Sequence, residues 1–306
     1  VTKRYDVDGI HMDDYFYPYQ VKDKAGNKID FSDNASYGAY QRDGGRLDRR
    51  AWRRTHVDAL VSQLYQAVKA TKPWVKVGIS PFGIWRPGVP SGIEAELDAY
   101  DELAADARKW MQQGWLDYSS PQLYWPIEPR KQSFALLLDW WASQSRGRHL
   151  WPGIAVARIG QQRNANEILN QITLARRDRR VSGQVFWNLN ATLSNKGGIA
   201  DTLKKGLYAN PALVPGSPWL GGRRVDPPKV SFRRFLKGRP EFTWGRGPAE
   251  VRFWVVQYQA NGRWGADSIP GTTNTWSGPP NTTAVAVSAY TRTGYLSPPT
   301  TLALQR

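Results

Sequence analysis

The sequence contains no cysteine and only three histidines among its 306 residues. The absence of cysteine excludes a disulfide framework and thiolate metal sites, and the histidines do not form a His-x-x-x-His pair. No stretch approaches the roughly 20 consecutive apolar residues that cross a bilayer, so we expect no transmembrane segment. Walker loops and Gly-x-Ser-x-Gly elbows are also missing. We therefore expect neither a metal nor a cofactor.

Acidic residues are scarce relative to basic ones. The 26 Asp and Glu stand against 42 Lys and Arg, which gives a formal net charge of +16. Twelve of the cations but only four of the acids lie between residues 223 and 306. A basic surplus of this kind favours an anionic partner, although charge concerns association and solubility and does not specify a fold.

The hydrophobic content of 41% is typical of a globular protein, and the first two-thirds of the chain alternate short apolar runs with longer amphipathic ones. This alternation predicts five βα units around a parallel sheet. The predicted strands are Asp6–Asp13, Val75–Ser80, Leu116–Leu123, Leu150–Val156 and Gly183–Trp187. The predicted helices are Ala51–Thr71, Ala95–Gln112, Lys131–Ser145, Asn164–Arg179 and Gly198–Leu207. A long Asp-, Gly- and Tyr-rich loop follows the first strand.

The composition changes after Tyr208 to Pro- and Gly-rich turn chemistry, which predicts a linker over residues 211–228. Short β-type runs without helical periodicity follow over residues 229–306. They predict a small all-β sandwich. The Cys…Trp…Cys spacing of antibody domains is missing, so we expect a fibronectin type III-like module.

Several motifs in the first two-thirds resemble those of one family. The motifs, in chain order, are residues 6–19 (DVDGIHMDDYFYPY), 78–86 (GISPFGIWR), 106–110 (DARKW), 117–118 (DY) and 121–125 (PQLYW). Together they resemble the glycosyl-hydrolase-like family 10 over about residues 4–220.

The resemblance implies a (β/α)8 TIM-type barrel with its active site at the carboxyl ends of the strands. The family's Asp-Asp strand is a middle strand of the barrel. Residues 1–210 are then the carboxyl-terminal part of the catalytic domain, with the last five βα units present and about three earlier units missing from this sequence. The alternative from the residues alone is an open five-stranded α/β sheet.

Glycoside hydrolysis requires an acid beside the leaving oxygen and a second group at the anomeric carbon. Among the carboxylates, only Asp13 and Asp14 lie at the carboxyl end of a predicted strand. Asp117 begins a strand; Asp30 and Asp33 of the long loop could reach the site, although such Asp residues are more often turn residues. Mutual repulsion would keep one of two adjacent carboxyls protonated. From the sequence alone, capping of the loop or holding a structural cation is an equal alternative; the resemblance favours catalysis, without deciding which Asp is the acid.

Aromatic and amide side chains at strand ends and in the first loop suit a sugar-binding cleft, because rings offer apolar faces and amides bond hydroxyls. Core packing is the competing interpretation. The resemblance favours substrate contact for a set of ten residues: His11, Tyr15, Tyr17, Trp85, Arg86, Gln122, Tyr124, Trp125, Trp187 and Asn188.

The resemblance implies hydrolysis of a bacterial envelope glycan built on N-acetylglucosamine-type sugars, with peptidoglycan strands favoured and a secreted aminosugar polysaccharide second. The expected location is periplasmic, envelope-associated or secreted. A non-catalytic glycan-binding protein is the alternative. A basic nucleic-acid-binding protein is the third possibility and is not favoured, since RNA-recognition and cold-shock motifs are missing. The basic carboxyl-terminal module instead suits an anionic envelope polymer, or simply a solvated basic surface.

Overall fold

A computed structural model describes residues 1–128, 130–161 and 163–304. Its contacts divide the chain into two compact units, Val1–Leu203 and Lys204–Arg306. The first unit mixes helices with parallel strands, and the second is built from antiparallel strands. This confirms a mixed α/β domain followed by a β-sheet region. No helix in the described ranges combines the length and the apolar character needed to span a membrane.

The first unit contains a parallel sheet whose strands neighbour one another in chain order. β1 (Gly9–Met12) pairs with β2 (Lys76–Ile79), β2 with β3 (Tyr118–Ser119), and β3 with β4 (His149–Leu150). Each observed strand is shorter than predicted. Within the described ranges, β1 is paired on one side only, so this sheet is an open arc and does not close into a barrel.

The fourth predicted strand, Leu150–Val156, is interrupted. Its second piece is β5 (Gly153–Ile154), which pairs in parallel with β6 (Val185–Phe186). Pro152 separates the two pieces, because proline has no backbone N–H to donate to a ladder. Isolated parallel bridges still hold both pieces beside their neighbours. All five predicted strand positions are therefore occupied.

Helices connect the strands and cover the sheet. They are α1 (Asn34–Arg42), α2 (Arg49–Thr71), α3 (Ala99–Glu102), α4 (Ala107–Gln112), α5 (Phe134–Gln144), α6 (Ala165–Arg177), α7 (Leu189–Leu193) and α8 (Ile199–Lys205). α2, α5, α6 and α8 match predicted helices. α1 lies in the long loop after β1 and α7 follows β6; neither was predicted.

The prediction of one continuous helix over Ala95–Gln112 is wrong. The side chains of Asp98 and Asp106 each accept a hydrogen bond from the backbone N–H three residues later, at the starts of α3 and α4. A carboxylate in this position satisfies a backbone donor that the first turn leaves unpaired, so each Asp begins its own helix. Between them Ala104 has a φ of 53°, in the left-handed region that no right-handed helix passes through.

Gly78 of β2 lies directly beneath the ring of Tyr118 of β3, and a Cβ at Gly78 would collide with that ring. We expect Gly78→Ala to lower the free energy of unfolding by about 1–3 kcal/mol, because the ring or the strand must shift. Gly9→Ala in the adjacent strand is the control, since its Cβ would meet atoms only at 3.4 Å or beyond. Urea unfolding measures both, and equal stabilities would contradict the prediction.

Asp117 is fully buried at the amino end of β3. Its carboxylate accepts hydrogen bonds from Lys69 Nζ at 2.5 Å, Tyr65 OH at 3.1 Å and the Val77 N–H at 2.8 Å. Arg148 Nη1 lies 3.6 Å away. These contacts tie α2, β2 and β3 together at the edge of the sheet opposite to the carboxyl ends of the strands, which gives Asp117 a structural role.

The second unit consists of two antiparallel sheets. Its strands are β7 (Val230–Leu236), β8 (Arg239–Trp244), β9 (Val251–Ala260), β10 (Arg263–Pro270), β11 (Thr275–Ser277), β12 (Thr282–Thr291) and β13 (Thr300–Ala303). The strand orders are β10-β9-β12-β13 and β11-β8-β7. Both sheets supply one hydrophobic core, whose largest members are Phe242, Trp244, Trp254 and Trp276.

The segment predicted as a linker, residues 211–228, packs within the second unit. The Ser217 N–H donates to Thr293 O at 2.8 Å, and Pro218–Leu220 form a short 3-10 turn. Val225 belongs to the hydrophobic core. The contact boundary between the units therefore lies a few residues before the predicted linker, and the predicted domain bounds 1–210 and 229–306 stay predictions.

Candidate active site

Asp14 follows the carboxyl end of β1 and is only 3% exposed. Its Oδ2 accepts a hydrogen bond from Tyr19 OH at 2.5 Å. Burial raises the pKa of the Asp14 carboxyl and the neighbouring Asp13 charge adds to this, whereas the bond from Tyr19 acts in the opposite direction; the net shift is upward. A carboxyl of raised pKa keeps its proton to higher pH than an ordinary Asp, as a general acid must.

Asp13 precedes Asp14 but is exposed to solvent. Its Oδ1 accepts a hydrogen bond from Gln122 Nε2 and another from the Asp14 N–H, both at 3.0 Å. Gln122 Nε2 also donates to Ser80 O, at 3.1 Å. The amide thus joins the carboxyl ends of β1, β2 and β3 and fixes one oxygen of an exposed carboxylate.

His11 lies two residues before Asp13 and therefore, by the alternation of side chains along a strand, on the same side of β1. Its Nδ1 lies 3.0 Å from Tyr118 OH and its Nε2 lies 3.0 Å from Ser80 Oγ. Burial lowers the pKa of His11, and the charge of Asp13 opposes this. Burial also raises the pKa of Tyr118 to about 12, so its phenol stays protonated. The lowered pKa favours the neutral form of His11, whose two ring nitrogens lie within hydrogen-bond distance of the Tyr118 and Ser80 hydroxyls.

Tyr124 lies within electrostatic reach of the acid pair, and its ring contacts that of Trp187. Burial raises the pKa of Tyr124, and the charges of Asp13 and Asp14 raise it further, which places its hydroxyl within the field of both carboxylates. The ring of Tyr124 packs on that of Trp187, with centroids 5.6 Å apart. Trp187 is 47% exposed. An exposed indole therefore lies next to a tyrosine whose hydroxyl interacts electrostatically with both carboxylates.

The other predicted aromatics differ in their surroundings. Tyr15 is largely exposed and contacts Tyr19 edge to face at 5.7 Å. Tyr17 packs against Phe31 and beneath a guanidinium, within the first loop. Trp125 is half-buried and contacts Phe82 edge to face at 5.7 Å. Of these, Tyr15 presents the most surface for a ligand.

Trp85, Arg86 and Asn188 make other contacts. Trp85 stacks on Trp140 and donates from Nε1 to an N-cap carboxylate of α4. Arg86 forms ion pairs of 3.2 Å with two carboxylates at α3. Asn188 caps α7, where its Oδ1 accepts from the Ala191 N–H at 3.2 Å. These intramolecular contacts explain the positions of all three side chains, and no ligand is needed to hold them there. Substrate contact by them stays a prediction.

Tyr19 is a contact of the acid pair that sequence reasoning missed. Alternation ends with β1, so no periodicity indicates that a residue five positions later returns to Asp14. The loop is fastened by Arg53 of α2, which binds Asp33 at 2.7 Å and Asp30 at 2.8 Å. The only signal available was the pairing of loop acids with a basic start of α2.

Within the described ranges, no three His, Asp or Glu side chains cluster to hold a metal ion.

Comparison with known proteins places these residues in a family. The family model described as Glycosyl hydrolase-like 10 matches residues 1–169, more than half of the chain. The chain belongs to the glycosyl hydrolase-like 10 family. This confirms the resemblance carried by the motifs, and the matched range contains Asp13, Asp14, Tyr19 and Gln122.

Curated relatives in the glycosyl hydrolase-like 10 comparison carry the name glycosyl hydrolase. Glycosyl hydrolase YngK of Bacillus subtilis (strain 168) is 41% identical over 243 residues, which cover 76% of this chain and 46% of YngK. Glycosyl hydrolase DigH of Escherichia coli (strain K12) is 37% identical over 167 residues, which cover 53% of this chain and 36% of DigH. The chain thus spans less than half the length of these relatives.

Among solved structures, chitinase ChiA74 from Bacillus thuringiensis is similar to this glycosyl hydrolase-like 10 chain at 11% identity and a TM-score of 0.36. The match covers 85% of this chain and 56% of the chitinase. Likeness at that level does not specify a substrate.

Proposed function

We propose that this protein hydrolyses a bacterial envelope glycan built from N-acetylglucosamine-type sugars, with peptidoglycan glycan strands favoured and a secreted aminosugar polysaccharide second. The observation that carries the proposal is the pair Asp13 and Asp14, adjacent carboxyls at one strand end in opposite surroundings. Family membership supports the reaction class, and the motif resemblance supports the choice of glycan.

Asp14 is the proposed general acid. Its burial favours the protonated form, and Tyr19 occupies Oδ2 as a hydrogen-bond donor. The acidic proton of Asp14 then lies on Oδ1. From there it passes to the glycosidic oxygen as the bond to the anomeric carbon breaks, which leaves Asp14 ionised and the leaving sugar neutral.

Asp13 is the proposed orienting group. Two donors fix its Oδ1, and its exposure leaves the other oxygen open to substrate. That oxygen directs either a water or the substrate's own 2-acetamido group onto the anomeric carbon. Proton NMR of the first-formed product distinguishes the two routes, because direct attack by water inverts the anomeric configuration and acetamide participation retains it.

The exposed rings of Tyr15 and Trp187, with Tyr124 behind, form the proposed sugar-binding surface beside the acid pair. The five parallel strand positions in chain order support the proposal that this unit is the last five βα units of a (β/α)8 barrel, in which catalytic groups gather at strand carboxyl ends. A periplasmic, envelope-associated or secreted location and a fibronectin type III-like second unit belong to the same proposal.

Peptide-free peptidoglycan glycan strands provide the test. We expect the protein to generate new reducing ends, counted by mass spectrometry, and to leave cello-oligosaccharides intact because they share the β-1,4 backbone but lack acetamides. Binding of the strands without cleavage would overturn hydrolysis and favour a glycan-binding envelope protein. DNA binding that survives physiological salt, with no affinity for glycan, would favour the nucleic-acid alternative.

Tyr19→Phe is expected to move the basic limb of the pH–rate profile to higher pH. The Tyr19 hydroxyl stabilises the Asp14 carboxylate and lowers the pKa of that group, so its removal lets Asp14 stay protonated further up the pH scale. We also expect kcat at the optimum to fall about five-fold, the worth of one positioning hydrogen bond of about 1 kcal/mol. Tyr37→Phe is the matched control, because that hydroxyl bonds Leu47 O elsewhere in the loop. An unmoved basic limb in Tyr19→Phe would contradict the positioning role.

A further inference from the structure

A cavity of about 420 Å³ lies entirely among residues of the second unit. Its floor is apolar and buried, and consists of Val225, Pro228, Trp254 and Ala289. Its walls are two stretches of chain, one before β7 and one between β8 and β9. We call this cavity the basic groove because of the side chains on its rim.

Four cations stand on the rim of the basic groove, and all four are exposed: Arg223, Arg224, Lys229 and Arg246. The acids in the lining are Asp226 and Glu250. Within the part of the chain that the structure describes, the ion pairs of the second unit are those of Arg233 and Arg234 with Glu241, and none involves a rim cation. The four cations outnumber the two acids of the lining, so the basic groove carries a net positive charge.

The backbone that carries these cations is conformationally restricted. Pro227, Pro228 and Pro248 fix the φ angles of both walls. Gly247 passes so close over the floor that a Cβ there would lie 2.9 Å from the ring of Trp254. Restricted walls keep the cations near one another before a ligand arrives, which reduces the ordering cost of binding.

We propose that the basic groove binds a segment of an anionic envelope glycopolymer, one that carries carboxylate or phosphate groups on a polyol or sugar backbone. Guanidinium groups match both anions because their N–H donors form paired bonds to two oxygens. A carbohydrate or polyol backbone carries such anions without requiring an aromatic stacking surface, which the groove does not offer. The site goes beyond the proposed hydrolysis and does not depend on it.

The lining favours a glycopolymer over single-stranded nucleic acid. Proteins that bind single strands stack the bases on exposed aromatic rings. The aromatic residue that lines the basic groove is Trp254, which is only 2% exposed and donates its Nε1–H to Gly271 O. A ring held in this way offers no stacking surface.

Binding of fluorescently labelled poly(glycerol phosphate) and polygalacturonate to the whole protein tests the proposal, and comparison of the two probes separates phosphate from carboxylate recognition. We expect Arg224→Gln/Arg246→Gln to weaken binding of the preferred probe at least about ten-fold. Lys237→Gln/Arg263→Gln removes the same charge from two β-hairpins of the unit, at the turn between β7 and β8 and at the first residue of β10, and we expect it to weaken binding less than two-fold. Thermal unfolding followed by circular dichroism verifies that both double variants are folded.

Equal weakening by the two double variants would show that overall charge, and not the basic groove, drives binding, and would overturn the site. Tighter binding of an oligothymidylate than of both glycopolymers would overturn the proposed ligand class. Failure of both probes to bind at physiological salt would also overturn the proposal. Hydrolysis of glycan strands is measured separately, so its outcome leaves these results unaffected.

Discussion

Asp14→Asn lowers kcat on glycan strands by about 10²–10⁴-fold, if Asp14 supplies the proton that leaves with the glycosidic oxygen. The substitution keeps the size and shape of the side chain but removes its acidic proton. The amide can still accept the hydrogen bond from Tyr19, so the loop stays in place. We therefore expect the loss in kcat with little change in KM, because the ground-state contacts to substrate remain.

The stability of Asp14→Asn provides an independent check. Folding raises the pKa of Asp14 above its unfolded-state value, so the wild-type protein is most stable below the unfolded pKa and loses stability as the pH rises toward the folded one. The amide does not ionise. The free energy of unfolding of the variant at neutral pH should therefore equal or exceed that of the wild type, with the difference vanishing at low pH.

Asp58→Asn is the matched control for activity. Asp58 is also buried, but it binds Trp110 Nε1 and Lys109 Nζ away from the acid pair. We expect this variant to lose some stability and to keep its kcat. Full activity of Asp14→Asn, or equal losses in the two variants, would sink the assignment of the acid.

Asp117→Ala should be the most destabilising single substitution proposed for the first unit. It removes the acceptor of three hydrogen bonds and leaves the ammonium of Lys69 and the guanidinium of Arg148 without their central counter-charge. Loss of one partner from a buried ion pair costs about 3–5 kcal/mol, because the remaining charge is removed from water without compensation. At about 2–4 °C per kcal/mol, we expect the melting temperature to fall by roughly 10 °C.

Asp139→Ala is the control that shows whether the loss of stability expected for Asp117→Ala comes from burial of the ion pair or from the presence of an ion pair as such. Asp139 also pairs with a cation at short range, 2.6 Å from Arg180 Nη2, but its side chain is 75% exposed. Exposed pairs contribute about 0–1 kcal/mol, so this variant should unfold almost as the wild type does. Denaturant unfolding followed by helical circular dichroism compares them; a small effect for Asp117→Ala would show that the buried network does not hold the sheet together.

The strand positions and most helices were predictable because each rests on a local pattern. α2 and α6 have an apolar face repeated at helical spacing, and β2 is a short apolar run bounded by turn residues. The break between α3 and α4 and the break in the fourth strand were harder to predict. They depend on single residues inside otherwise regular patterns, namely the caps Asp98 and Asp106 and the proline Pro152. Periodicity is judged over several positions at once and therefore does not reveal a break caused by one residue.

The same distinction applies to the site. The closeness of Asp13, Asp14 and Gln122 was predictable because strand ends of a parallel sheet meet at one edge, and the motifs around them identified the family; their roles in catalysis and binding are those proposed above. Trp85 and Arg86 follow a strand end as well, yet the structure turns them to contacts with helix residues. Position in a strand-end motif specifies where the backbone goes and leaves the direction of a loop side chain undetermined.

The sequence by itself determined the family, the five βα positions, the all-β character of the second unit and the basic charge that it carries, because composition, periodicity and motif order are properties of neighbouring residues along the chain. The tertiary structure alone decided which of two adjacent aspartates is buried, that Tyr19 bonds Asp14, and that four cations surround one groove in the second unit. Burial and hydrogen bonding depend on residues far apart in sequence, and these contacts set the pKa of Asp14 and therefore the chemistry proposed for it.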